Sequence, residues 1–223
     1  MSRKRARQPA TAERTDLGLR EAPRAITPVW IAAGLAILTL SVFAQTRGFA
    51  FVNWDDPQYI TANPHVVGGL TWTNVSWALT TGYPPYWHPL TWLSHLTDIT
   101  LFGLDPGWHH LTNVGFHLLS VLVLFELLRR MTGAMGASAF VAGVFAVHPL
   151  HVESVAWVAE RKDVLSTFFG LLSLMAYASY AAAKGSVAQA KDSAESSVPH
   201  RWSRTIRDHH QHERRIGWRS CSR

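Results

Sequence analysis

"LTNVGFHLLSVLVLFELLRR", residues 111–130, is the stretch that decides the fold. From Leu111 to Leu128 it is an apolar run of about the length a helix needs to cross the hydrocarbon of a bilayer, and Arg129 and Arg130 close it. Asn113, His117 and Glu126 interrupt the run. Polar groups at that depth are costly against lipid, so the helix is expected to pack against other helices.

Three further apolar runs flank it. Ile26–Phe43, "ITPVWIAAGLAILTLSVF", is uncharged, and Pro28 near its start suits the first turn of a helix. Ala134–Val147, "AMGASAFVAGVFAV", is short and rich in small residues that let helix backbones approach closely. Val164–Ala183 ends at Lys184 and Gly185. The expectation is therefore an all-α polytopic membrane protein of about four spans, with 26–183 as the membrane domain. Its polar ends are 1–25, a basic cytoplasmic tail, and 184–223, a tail with no periodic apolar face that reads as disordered or out of frame.

Composition agrees once it is read in blocks. The chain is 48% hydrophobic with ten tryptophans, yet its mean hydropathy is only +0.03, because the apolar residues are concentrated between polar ends. The lone cysteine, Cys221, rules out a disulfide framework within the chain.

The net charge of +6 is distributed unevenly. Arg3, Lys4, Arg5, Arg7, Arg14, Arg20 and Arg24 precede the first run against Glu13, Asp16 and Glu21. Basic residues beside spans set orientation, which places the N-terminus in the cytoplasm and residues 44–110 outside. The expected location is the bacterial inner membrane. The basic leader is long and no small-residue cleavage site follows it, so the first run is expected to stay as an anchor. A nucleic-acid role for the basic ends is the weaker reading.

One pair breaks the charge pattern. Arg161 and Lys162, in "AERKD", fall on the outer side and need a partner, for which an anionic ligand is one candidate.

The outer segment also carries structure of its own. "GLTWTNVSWALTTG" and "HPLTWLSHLTDITLFGL" mix Trp and Leu with polar residues at roughly helical spacing and read as short amphipathic helices along the outer surface. "HPLTWLS" (88–94) and "HPLHVES" (148–154) share the form H-P-L-x-x-x-S, a helix-start signature, and would line one outer cavity.

Chemistry-bearing groups collect on that side. Asp55 and Asp56 follow the first span with no lysine or arginine beside them. Such carboxylates form an Asx-type turn, take a proton from a hydroxyl, or hold a divalent cation such as Mg or Mn. Zinc is disfavoured: no H-E-x-x-H is present, and His151 and Glu153 differ by about 200° around a helix starting at Pro149. His109 and His110 read as interfacial hydrogen-bonding groups. Asn74-Val75-Ser76 is an N-glycosylation sequon on the same side.

Three motifs in order carry a resemblance: "FVNWDDPQYITANP" (51–64), "WHPLTWLSHLTDITLFGLDPGWHHLTNVGFHLLSVLVLFELL" (87–128) and "FAVHPLHVESVAWVAERKDVLSTFFGLLSLMAYASYA" (145–181). Across about residues 43–182 the chain resembles the N-terminal part of the membrane O-mannosyltransferase-like proteins with tetratricopeptide repeats, of the GT-C class. The resemblance implies transfer of a mannose-like sugar from a polyprenyl-phosphate donor to a hydroxyl of a protein or glycan acceptor, at the outer face. It implies a catalytic base at Asp55 or Asp56, donor-phosphate binding by Arg161 and Lys162, and cavity-lining positions at His88, His148 and Glu153. That family has more spans, followed by repeats of about 34 residues. This chain is expected to correspond to its N-terminal fragment. A non-catalytic membrane scaffold, and a transporter using His117 and Glu126, are the competing classes.

Overall fold

The computed structural model describes residues 27–81 and 87–196; the basic leader, residues 82–86, and the tail from 197 that holds Cys221 lie outside the described residues. Helix α1 (Pro28–Phe43) runs into a 3₁₀ turn over Ala44–Gly48. The next segment folds into α2 (Pro64–Val67), α3 (Trp72–Thr80) and α4 (Pro89–Phe102). Then come α5 (Pro106–Thr132), α6 (Met135–Val147), the short α7 (Val152–Ala156) and α8 (Arg161–Ser196). Three stretches are long and apolar enough to span a membrane: Pro28–Gly48, Pro106–Thr132 and Val158–Ala190. Helix α6 and the segment Pro149–Ala156 make a fourth if they count as one span broken by a 49° bend.

Local chemistry explains the starts. Proline occupies the first turn of α1, α2, α4 and α5, where its missing N–H costs nothing. Asn63 Oδ1 accepts from His65 and Val66 N–H at the head of α2. Thr71 Oγ accepts from Asn74 N–H on α3, and Asp105 from Gly107 N–H on α5. That Asp-Pro start explains why α5 begins before Leu111, where the apolar run begins. It ends at Gly133, whose φ of 69° is left-handed. At its other limit α8 passes through Lys184 and Gly185, because the Ala, Gln, Lys and Ser residues that follow are compatible with a helix although no longer apolar.

Three apolar clusters hold the elements together. Small residues let α6 approach its neighbours, with Ala142 and Ala146 packed against Leu35 of α1 and Val121 and Phe125 of α5. Phe43, Val114, Val155 and Val164 join the ends of α1, α5, α7 and α8. Ile60, Val66, Ala78, Trp92, Leu96, Ile99 and Val158 form a separate core under the loop helices. Helix α4 is thus more deeply embedded than an amphipathic helix lying along the membrane surface: Thr91, Trp92, His95, Leu96, Asp98 and Ile99 are all buried.

Arg47, alone among residues 44–110 in carrying a cationic Lys or Arg side chain, fixes the entry to α5. Its guanidinium donates to both Asp105 carboxylate oxygens at 3.0 Å and lies 5.0 Å from the Trp108 ring centroid. Gly107 lies against this clamp so closely that a Cβ would overlap the Arg47 guanidinium and carbonyl. Gly107→Ala is therefore expected to cost about 1–3 kcal/mol, as overpacking does. Thermal unfolding in detergent checks it, and an unshifted transition would show that the clamp yields freely.

Candidate functional site

The two carboxylates of the doublet have opposite environments. Asp56 is fully buried; its Oδ2 accepts from Val52 N–H at 2.7 Å and its Oδ1 from Ala159 N–H at 3.0 Å. It therefore ties the first loop to the turn that leads into α8. Burial raises its pKa above the ordinary carboxylate value, with the two backbone N–H groups opposing that rise. Asp55 is half-buried, and its carboxylate makes no hydrogen bond or ion pair among the described residues. Its backbone carbonyl accepts from Tyr59 N–H, which holds the residue at the head of a wide π-type turn over Pro57–Thr61. The turn chemistry falls to Asp56 and the free carboxylate to Asp55.

Arg161 and Lys162 also divide. Arg161 is wholly buried at the first residue of α8. Its Nε donates to Asn113 Oδ1 at 2.8 Å, its Nη2 to the His109 carbonyl at 2.7 Å, and its Nη1 to Ser94 Oγ at 3.1 Å and to Asp98 Oδ2. The partner that this out-of-pattern arginine requires is thus supplied internally, by Asp98 of α4. Lys162 instead lies at the surface, with Nζ 2.7 Å from Glu160 Oε1 and 6.0 Å from the centroid of the Tyr59 ring.

Lys162 borders a groove of about 590 Å³ between the start of α4 and α8, otherwise walled chiefly by Trp87, Leu90, Leu165 and Phe169. His88 lines it too, stacked on Tyr59 with ring centroids 5.5 Å apart and on Trp92 at 4.9 Å. Burial, and then Lys162, lower the His88 pKa, so its ring is neutral at pH 7. A second groove, of about 540 Å³ and almost entirely apolar, lies between Trp54, Val52 and Phe49, which precede the doublet in sequence, on one side and Glu153, Ala156 and Trp157 on the other.

The two H-P-L starts border adjoining cavities rather than one. His148 caps the turn at Pro149 and packs its ring 6.0 Å from His151, which lines a polar cavity sharing Asp163 and Ser166 with the His88 groove. His151 and Glu153 face different cavities, as the helical spacing requires. His109 and His110 are buried, and both donate to backbone carbonyls, of Gly103 and Ala50. Glu126 is engaged by Arg129 and Arg130 at the far end of α5, remote from His117, which bonds the Ala146 carbonyl. Among the described residues no three His, Cys, Asp or Glu side chains gather as a metal would require. Asn74 of the sequon is buried, its amide donating to the Gly69 carbonyl.

Sequence reasoning did not single out Asp98 or the roles of Ser94 and Asn113. Thr91, Ser94, His95 and Asp98 recur at helical spacing in "LTWLSHLTD", a polar stripe on an otherwise apolar helix. That stripe was the available signal.

A helical protein with several stretches long and apolar enough to cross a membrane is an integral, polytopic membrane protein. The chain is similar to human protein O-mannosyl-transferase TMTC2, with 32% identity over 156 residues, 66% of this chain and 18% of the relative. It is 34% identical to human protein O-mannosyl-transferase TMTC1 over 68% of this chain, and 30% identical to Drosophila melanogaster Tmtc1 over 65%. Over the matched residues the chain is homologous to these proteins named O-mannosyl-transferase, and it spans about 18% of the length of these curated relatives. No family description and no solved structure matches it.

His95 supplies a pH test of this packing. It is completely buried, and neither ring nitrogen has a hydrogen-bond partner among the described residues. Burial, and then Arg161, push its pKa well below 6.5. The folded state therefore favours the neutral ring. The resulting stability is present above the unfolded-state value and is lost as pH falls below about 6.5, at up to ~1.4 kcal/mol per pH unit. His95→Leu is expected to flatten the acid limb of the unfolding temperature between pH 7 and pH 5. An unchanged slope would contradict the assignment.

Proposed function

We propose that the chain forms the base-bearing and donor-binding part of a GT-C-type glycosyltransferase. It acts on the outer face of a membrane whose cytoplasmic side holds the N-terminus. The reaction moves a mannose-like sugar from a polyprenyl phosphate to a hydroxyl of a protein acceptor. The observation that carries this reading is the free Asp55 carboxylate, held at a fixed position by a neighbour that is itself locked into the fold. The relatives' shared name, protein O-mannosyl-transferase, supports the reaction class.

In this reading Asp55 accepts the proton of the acceptor hydroxyl as its oxygen bonds to the anomeric carbon of the sugar. The bond from that carbon to the phosphate oxygen breaks, its electron pair leaves with the polyprenyl phosphate, and the anomeric configuration inverts. Lys162, on the border of the apolar groove, is suited to the phosphate; Leu90, Leu165 and Phe169 are suited to the prenyl chain. Arg161 has its guanidinium engaged inside the protein, so the phosphate contact rests on Lys162, with Arg161 acting as a positioning residue. His88 lines the donor groove, and Glu153 the apolar groove walled by Trp54. His148 lies next to the cavity beyond.

The test is transfer from a polyprenyl-phosphate mannose to a serine- or threonine-containing peptide by the full-length protein in liposomes. Asp55→Asn is expected to lower kcat by about 10²–10⁴ without moving the unfolding temperature. Asp56→Asn lowers the unfolding temperature, and Lys162→Ala raises KM for the donor more than it lowers kcat. Wild-type turnover in Asp55→Asn would overturn the assignment of the base.

A further inference from the structure

The polar cavity between α5, α6, α7 and α8 has no role in the reaction described above. It has a volume of about 170 Å³, room for about five or six waters at ~30 Å³ each. Ser120, Ser154, Ser166, Asp163 and His117 line it, with Phe145 forming an apolar part of the wall. It is open on one side, where Asp163, Ser166 and Thr167 are exposed.

Donor and acceptor accounting shows what these groups still offer. A serine hydroxyl has one proton to donate, and three are already committed: Ser120 to the Phe116 carbonyl at 2.9 Å, Ser154 to Asp163 Oδ2 at 3.0 Å, and Ser166 to the Asp163 carbonyl at 3.0 Å. His117 Nε2 lies 3.0 Å from the Ala146 carbonyl, which only accepts, so Nε2 carries the proton and Nδ1 of the neutral ring is an acceptor. Asp163 contributes its remaining oxygen and makes no ion pair among the described residues. The neighbouring cations are engaged elsewhere, Arg161 in its buried network and Lys162 with Glu160. The cavity therefore presents acceptors and one negative charge; among its described lining residues only Thr167 and His151 keep uncommitted donors.

We propose that this cavity binds a small monovalent alkali cation with part of its hydration shell. Oxygen acceptors suit a hard cation, and a single carboxylate neutralises one charge. A divalent ion would keep one positive charge that the single carboxylate does not neutralise. A neutral polyol fits less well, because its own oxygens would find few donors.

The test is thermal unfolding of the full chain in detergent, titrated with NaCl, KCl or choline chloride at constant total salt. Sodium or potassium is expected to raise the unfolding temperature along a saturating curve that choline does not reproduce, and Asp163→Asn is expected to abolish it. Ser120→Ala, which keeps the carboxylate, serves if Asp163→Asn does not fold, and is expected to shift the midpoint to several-fold higher salt. Equal curves in choline and sodium, an alkali response that persists in Asp163→Asn, or an unmoved midpoint in Ser120→Ala would overturn the proposal. Each of these outcomes is independent of whether Asp55 acts as a base.

Discussion

The structure depends on one buried charge. Arg161 is an always-ionised group with no access to solvent, and a guanidinium in that position is tolerable only if its donors are met. Four of its five are met by a carboxylate and hydroxyl from α4 and an amide and carbonyl from α5. One side chain therefore fixes the approach of three helices. Without it, α4 would need another reason to press Ser94 and Asp98, two polar residues, against the bundle. The Trp92, Leu96 and Ile99 cluster on the same helix is held in register by this contact.

Next to that hub, Asp56 performs the same service for the loop. Its two backbone hydrogen bonds bridge Val52 to Ala159, two residues before Arg161. The chain thus places a fixed carboxylate and a free one side by side, and a fixed cation beside a surface one, within a few residues of each other in each case. Two like groups with two environments is how a fold divides structural from chemical roles. The groove at Lys162 and the apolar cleft at Trp54 and Trp157 both lie on elements that these two buried groups hold.

Much of this could be read from the residues. The spans follow from long, mostly apolar runs, and the helix starts from Pro28, Pro89 and Pro106, because both signals are local. The oppositely directed His151 and Glu153 follow from helical spacing alone. The doublet was legible as a site, though not which member of it was free, since that depends on Ala159, more than a hundred residues away. Arg161 was legible as an anomaly that needed a partner, but Asp98 lies 63 residues before it on a helix that reads as amphipathic surface. Pairings at such separation leave no periodic trace. The polar cavity was hidden for a related reason: its serines come from three helices, and their committed protons are visible only in three dimensions.

A double-mutant cycle on Arg161→Met and Asp98→Leu tests the central claim most directly, with unfolding free energy as the readout. Each single variant leaves a buried charge unpaired and is predicted to cost about 3–5 kcal/mol. The double variant is predicted to cost clearly less than the sum of the two, because it removes both charges together. Additive losses, or singles that cost nothing, would mean that the fold does not rest on this pair.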